Sequence, residues 1–498
     1  MVEIGKGMQR PGSVAIALSK YGFGLVIIAW LLADLVPRFF QGESLSYLTT
    51  GERWIPPDRS WAYGYMANFM LRHTHGCTAL ILVQTGALAW LIAASRVFFT
   101  GISPRIYGVT AILLALDPLL EIYTRFVMSD LLAAAAFFAT LLALFALLRE
   151  EGAARKVWFF VSLFIVSTVA AVFIRVAYAL VIELVVLLSG FLMSRRLVRR
   201  QWLALAGAAA GPVIAVALLS AANSVVFGDR FQHEPFINKL SGVFLASIFA
   251  PALQMSDFEA AGIPLTATEF QRLDVTNYDR RLGHAWAQSP DYLHQLIKDR
   301  LGVTEDYTTE VDSKAARLVW SAFKRNPIAV ARVYAWGAWQ YASPSGWRAG
   351  VDVDLGLSRA LPASFVDFSN RYSIWKIGSE TTKIRSPLVR FYDATSYFYP
   401  LLLLTGLAAA GYLMIVQVMR PAIAVLAAGL IADVATAPLY SAYAIGRYVV
   451  AAVIISYLLI GLAIHAATAR RGSYRAMAER SRNAPVDQAP SRARLLPR

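Results

Sequence analysis

Four charged side chains stand where charge is costly, and their types suit acid–base work and phosphate binding. Glu43 follows the first long apolar stretch of the chain. A carboxylate beside low-dielectric surroundings has its pKa pushed upward, toward the range of a general base; an ordinary solvated loop acid is the plain alternative. Asp130 opens the fourth apolar stretch. It either caps a helix N-terminus, where the helix dipole favours negative charge, or joins Glu43 in orienting an acceptor or holding a divalent cation through oxygen ligands. Arg175 falls in the short break between the fifth and sixth stretches, and Arg447, followed by Tyr448, precedes the last one. A guanidinium fork matches phosphate; an arginine that snorkels to lipid headgroups occupies the same kind of position.

These residues need a scaffold, and the composition names its class. Of 498 residues, 57% are hydrophobic and 16% charged, whereas an average soluble domain has about 25% charged residues. The apolar residues gather in runs of roughly 18 to 22, enough to cross a bilayer core of about 30 Å as helix. Backbone in lipid has no water to bond, so these runs are helical, and the alternating strands of a barrel are absent. The expected fold is an all-α polytopic membrane protein with about ten spans, at 18–36, 77–95, 106–121, 128–148, 157–174, 176–193, 202–222, 397–419, 421–439 and 446–466.

Charge sets the expected topology. Arg96 with Arg105, Arg149 with Arg155 and Lys156, Arg195 with Arg196, Arg199 and Arg200, then Arg420 and the arginines from Arg470 onward all fall on one side if both termini are cytoplasmic. The net charge of +15 then belongs to the positive-inside pattern, and no nucleic-acid-binding fold is legible. Lys6, Arg10 and Lys20 before the first run read as an uncleaved signal anchor. A bacterial inner membrane is the expected location. The single cysteine, Cys77, rules out an internal disulfide and reads as a small packing residue.

Residues 1–222 are thus expected to form an N-terminal membrane module whose first loop, 37–76, is catalytic. Residues 223–396 form a second, mainly helical extracytoplasmic region, too long for an ordinary connection. Within it 256–327 reads as amphipathic helix ended by Asn326-Pro327, 240–253 as an interfacial or re-entrant piece, and 343–372 as loop. Residues 397–466 hold the last helices, and 467–498 a disordered basic cytoplasmic tail. Asp34, Asp117, Glu183 and Asp433 lie in or near spans and are functional suspects on that ground. Lys383, Arg385 and Arg390 precede the eighth span and are expected near the cavity. His73 and His75 read as surface residues rather than metal ligands. No phosphate-binding Gly-Lys loop, HExxH or GxSxG pattern occurs.

Four short runs then take on meaning together. Glu43-Ser-Leu-Ser-Tyr47-Leu, Gly51, Pro56-Pro-Asp58-Arg59-Ser and Tyr63-Gly-Tyr65 resemble the first external loop of GT-C-type membrane glycosyltransferases, nearest the group of protein O-mannosyltransferases and aminoarabinose transferases. Tyr123-Thr-Arg125-Phe-Val-Met-Ser-Asp130, Phe173-Ile-Arg175 and Tyr443-Ala-Ile-Gly-Arg447-Tyr448 follow in the family's order. The family acid is more often Asp, so Glu43 departs from it by one methylene. The resemblance implies a GT-C-like bundle. It also implies inverting transfer of a sugar from a polyprenyl-phosphate-linked donor lipid to a glycan, lipid or protein acceptor on the extracytoplasmic face. Glu43 would be the base and Asp130 would orient the acceptor. Tyr47, Asp58, Arg59, Tyr65, Tyr123, Arg125, Arg175, Lys383, Arg447 and Tyr448 would bind substrate. An O-antigen polymerase or ligase, and a non-catalytic transport or assembly protein, stay open as alternatives. The early acidic loop disfavours the first, and the lack of similar halves disfavours a transporter.

Overall fold

The computed structural model describes residues 13–40, 43–52, 55–149, 154–195, 197–231, 233–272, 293–305, 308–355, 360–374, 376–416, 420–441 and 444–483. Gln41, Tyr443, part of 256–327 and the end of the C-terminal tail lie outside the described residues. The chain is an all-α polytopic membrane protein. Every expected span coincides with a helix: α1 (Ser13–Ala33), α4 (Thr78–Ser95), α5 (Pro104–Leu116) with α6 (Pro118–Arg125), α7 (Asp130–Arg149), α8 (Ala154–Ile174), α9 (Tyr178–Met193), α10 (Arg199–Val226), α21 (Tyr399–Val416), α22 (Arg420–Thr436) and α23 (Val450–Asn483). Between the first spans lie α2 (Glu43–Leu48) and α3 (Trp61–His73).

The expected count of about ten spans is not reached by length and composition. Among the described residues seven helices are long and apolar enough to cross a bilayer, or eight if the bent pair α5–α6 is one span. The apolar parts Tyr21–Ala33 and Tyr178–Met193 are shorter. The 51° bend between α5 and α6 has a local cause. Pro118 disfavours helix at Asp117, and the Asp117 carboxylate caps α6 by accepting from the amides of Leu119 at 3.0 Å and Leu120 at 3.1 Å. It also accepts from the hydroxyls of Tyr399 at 2.9 Å and Tyr457 at 3.0 Å. This suspect acid therefore has a structural occupation, tying α21 and α23 to the bend. The main apolar core lies among α4–α9 and α21–α23.

Residues 223–396 carry α11 (Gly228–Phe231), α12 (Ser241–Ile248), α13 (Met255–Ala260), α14 (Ala267–Arg272), α15 over 293–301, α16 (Thr309–Arg325), α17 (Pro327–Ala342), α18 (Pro344–Asp354), α19 (Ala363–Tyr372) and α20 (Pro387–Thr395). The α12–α17 part has its own apolar cluster. The structure adds to one expectation here and corrects two more, the second in the tail. The run 240–253 does not stand apart as a lone apolar piece: Val243, Ala246 and Phe249 are buried with Ala315, Leu318 and Ala322 of α16, and the Asp312 carboxylate accepts from the Gly242 amide at 2.6 Å. The stretch 343–372 is largely helical, because Pro344 sits at the start of α18 and Pro362 just before α19, where proline is tolerated. Finally α23 continues to Asn483, since two of the residue types that with Pro suggested a disordered tail, Ala and Arg, are good helix formers.

The site depends on one feature of strand type, a parallel bridge between Arg38 and Phe126. The Arg38 amide donates to the Arg125 carbonyl at 2.8 Å, and the Val127 amide to the Arg38 carbonyl at 3.0 Å. The segment leaving α1 is thereby laid along the segment joining α6 to α7.

Candidate functional site

That bridge fixes α2. The Ser44 hydroxyl donates to the Val127 carbonyl at 3.0 Å and accepts from the Phe40 amide at 2.8 Å. The Tyr47 hydroxyl lies 3.4 Å from Ser129 Oγ. Glu43 and Asp130, 87 residues apart by their numbers (130 − 43), are thus held on one wall of a cavity of about 350 Å³.

Three carboxylate–guanidinium pairs line it. Arg447 Nη1 donates to Glu43 Oε1 at 2.8 Å. Arg175, in the turn between α8 and α9, pairs with Asp130. Arg59 Nε lies 3.2 Å from Asp58 Oδ2, and its Nη1 donates to Ser46 Oγ at 3.1 Å. Tyr448 joins two of the cations: its ring centre is 4.8 Å from the Arg175 guanidinium and 4.7 Å from that of Arg447, and its hydroxyl accepts from Arg447 Nη2 at 2.8 Å. Tyr440 stacks on Tyr448 at 5.9 Å. The opposite wall is apolar, with Val172, Phe173, Val176, Leu180, Leu219 and Leu245. Leu180, among them, is exposed.

The electrostatics reverse one expectation. Burial raises the Glu43 pKa, as foreseen, but the charges of Arg447, Arg59 and Arg175 and the Arg447 hydrogen bond outweigh it, and Glu43 is held below the usual glutamate value. Tyr47 moves up, through burial first and the Glu43 charge second, and keeps its proton. Glu43 and Asp130 also do not form a joint cation site. Each faces its own arginine, and no group of three or more His, Cys, Asp or Glu able to hold a metal occurs among the described residues.

Of the residues expected to bind substrate, Tyr47, Asp58, Arg59, Arg175, Arg447 and Tyr448 line this cavity beside Glu43 and Asp130. Four do not line it. Tyr65 is exposed, with its ring edge against Trp61. Tyr123 is buried behind the wall, within electrostatic range of Arg447. Arg125 is fully buried, paired with Glu121 one helical turn earlier and donating to the Asp34 carbonyl at 3.1 Å. Lys383 is exposed and pairs with Glu380 at 2.6 Å. A chain motif marks a neighbourhood, and helix phase then turns some of its members away.

The sequence reading passed over Ser60, Trp61, Asn223 and Tyr440. Ser60 caps α3 by accepting from the Tyr63 amide and donates to the Phe173 carbonyl at 2.7 Å. Trp61 Nε1 donates to Asn223 Oδ1 at 2.8 Å, and Asn223 Nδ2 to the Phe236 carbonyl at 2.9 Å. These contacts join the first loop to the apolar wall and to the second region. A polar Asn at the end of an otherwise apolar span was the available signal. Asp433 accepts from the Ala452 amide at 2.8 Å, capping α23 from α22, and lies in a small recess beside Arg175 and Tyr440.

No protein-family model and no curated protein matches the chain. Among solved structures, the crystal structure of ArnT from Cupriavidus metallidurans bound to undecaprenyl phosphate aligns with 89% of this chain and 78% of its own, at 12% identity and a TM-score of 0.30, a likeness too loose to decide fold family or activity.

Proposed function

We propose that the chain is a GT-C-type membrane glycosyltransferase that moves a sugar from a polyprenyl-phosphate carrier to an acceptor hydroxyl at the extracytoplasmic face. The observation that carries this reading is one cavity with two kinds of wall. Glu43, Arg175 and Arg447 line it together with Val172, Phe173, Leu180, Leu219 and Leu245. A carrier's isoprenoid chain suits the apolar wall. Its phosphate suits the two arginines that flank Tyr448, whose forks of donors match phosphate oxygens.

The step needs a base, a path for the leaving group and no more. The acceptor oxygen attacks the anomeric carbon as the bond from that carbon to the phosphate oxygen breaks. The phosphate leaves with the electron pair, stabilised by Arg447 and Arg175. The acceptor proton passes to the Glu43 carboxylate. Attack opposite the leaving group inverts the anomeric carbon. Phosphate bound to Arg447 would also weaken that arginine's hold on Glu43, making the carboxylate a better base when the donor is in place.

The test is binding of radiolabelled polyprenyl monophosphate to the purified chain in nanodiscs, followed by transfer from a panel of polyprenyl-phosphate sugars. Binding lost on R447A and R175A, and transfer lost on E43Q with binding kept, support the reading. Unchanged binding in both arginine variants overturns it. Binding without transfer of any sugar in the panel by the unaltered chain favours a non-catalytic carrier-binding role.

A further inference from the structure

We propose that the corner between α16 and α17 is inserted in the headgroup layer of the bilayer, with Trp320, Phe323, Ile328 and Trp339 as its anchors. α17 sits against the end of a spanning helix: the Tyr334 hydroxyl donates to the Ala435 carbonyl at 2.6 Å, and Gly337 packs against Pro438. Both partners belong to the last residues of the span Pro421–Leu439. The level at which a span ends is the membrane–water interface.

The outer face of α17 carries Ile328, Arg332, Ala335 and Trp339, all exposed. Spacings of four, three and four residues place them in one stripe along the helix. Ile328 is 64% exposed and Trp339 63%. α16 arrives at the same corner with Trp320 and Phe323 stacked on each other at 5.6 Å and both exposed. Lys324 Nζ lies 5.2 Å from the centre of the Trp320 ring. Large apolar groups exposed at this corner and along the outer stripe of α17 mark an interaction surface.

Two features select lipid as the occupant. α17 packs on α21 and α22, and those helices expose Leu401, Leu404 and Ile431. Its aromatics are also interleaved with Lys324 and Arg332, whereas the acids of α16, Glu310 and Asp312, lie at the helix's other end. Indole rings with basic neighbours at the end of a span are the composition of an interfacial belt, with cations directed to anionic headgroups. The inference does not rest on the reaction proposed above. It does have a consequence for the cavity: α12 packs on α16 and contributes Phe244 and Leu245 to the lining, so an anchored corner fixes that part of the cavity wall at a set depth.

The experiment uses the full chain in vesicles that contain anionic lipid. Cys77 is buried and is the one cysteine, so a C77A background accepts single reporters through W320C, F323C and W339C, with S313C as a control at an exposed site near the start of α16. A fluorophore at 320, 323 or 339 should lose most of its emission to lipids brominated near the headgroup end and resist iodide in the water. The label at 313 should do the reverse. Iodide quenching at 320 and 323 equal to that at 313 overturns the proposal, and so does shielding from both quenchers, the mark of a protein partner. Hydroxyl-radical footprinting of the unaltered chain in nanodiscs gives a second readout: protection of Trp320 and Trp339 supports insertion, and ready oxidation of both overturns it.

Discussion

Glu43 and Arg447 are hydrogen-bonded at 2.8 Å across 404 residues of sequence. The pair joins the first loop to the turn before the last helix, at the polar wall of the cavity. The side chain best placed to take a proton and the one best placed to take a phosphate thus neutralise each other. The donor's phosphodiester offers Arg447 one negative charge, as the carboxylate does, in a bidentate geometry, and that charge grows as the bond to the sugar breaks. Binding of the carrier would exchange the partner of Arg447 and release Glu43 for chemistry.

The first prediction separates those two roles. Glutamine at position 43 still accepts a hydrogen bond from Arg447 but cannot take a proton. E43Q should lower transfer by about 10²- to 10⁴-fold, the usual worth of a positioned acid–base group, while polyprenyl monophosphate still binds. R447A should lose binding and transfer together. Equilibrium binding and single-turnover transfer on the same preparations check this, and full activity of E43Q would remove Glu43 from the mechanism.

The second prediction concerns pH. Burial alone would raise Glu43, but Arg447, Arg59 and Arg175 together hold it below its ordinary value of 4.5. A carboxyl lowered in the folded protein contributes stability above its unfolded pKa and loses that contribution as pH falls through the folded value. The acid limb of kcat/KM, which reports the free enzyme, should therefore lie below the ordinary glutamate range of about 4.3. The acid limb of kcat should lie higher, because the donor phosphate draws Arg447 away. Coincident acid limbs of kcat and kcat/KM would show that Arg447 does not change partner.

The third prediction tests the bridge that sets the wall. Arg38 and Asp34 are buried together, with Nη2 of Arg38 at 3.6 Å from the carboxylate. Arg38 also donates to the Ile384 carbonyl at 2.7 Å and to Ser386 Oγ at 2.9 Å. Removing one member of a buried pair leaves the other charge unpaired, at about 3–5 kcal/mol. R38A should lower the thermal midpoint sharply in detergent. K383A removes only an exposed pair of about 0–1 kcal/mol and should leave both stability and transfer near normal.

Much of this arrangement was legible in the chain, for reasons that differ between residues. Spans announce themselves because lipid demands long apolar helices. Glu43, Asp130, Arg175 and Arg447 stood out because each interrupts or borders such a run. What the chain hid was pairing. Nothing local says that Glu43 meets Arg447, and so the direction of the Glu43 pKa was misjudged from burial alone. Arg125 belongs to the Tyr123–Asp130 run that carries the resemblance, yet it is fully buried against Glu121 and the Asp34 carbonyl. The helices at 344–354 and 363–372 were read as loop because proline signals both a turn and a helix start.

A last prediction follows from close packing beside Arg447. Gly350 of α18 lies directly against the Ala444 carbonyl, and a Cβ there would collide with that backbone oxygen. Ala444 begins the short extended piece, with Ile445 next, that delivers Arg447 to the cavity. G350A forces either α18 or this piece to move, at about 1–3 kcal/mol for an overpacked site. The piece is the softer of the two: Ala444 and Ile445 belong to no helix, and Gly446–Tyr448 form a single 3-10 turn before α23. Arg447 should then be displaced from its place beside Tyr448 while Glu43, in α2 with Ser44 and Tyr47 bonded to the 127–129 segment, stays. The expected result is weaker binding of polyprenyl monophosphate and a raised KM, with kcat less affected at saturating donor. A fall in kcat with unchanged binding would mean that α18 yields instead, and that the phosphate-binding arginine is held by something other than this contact.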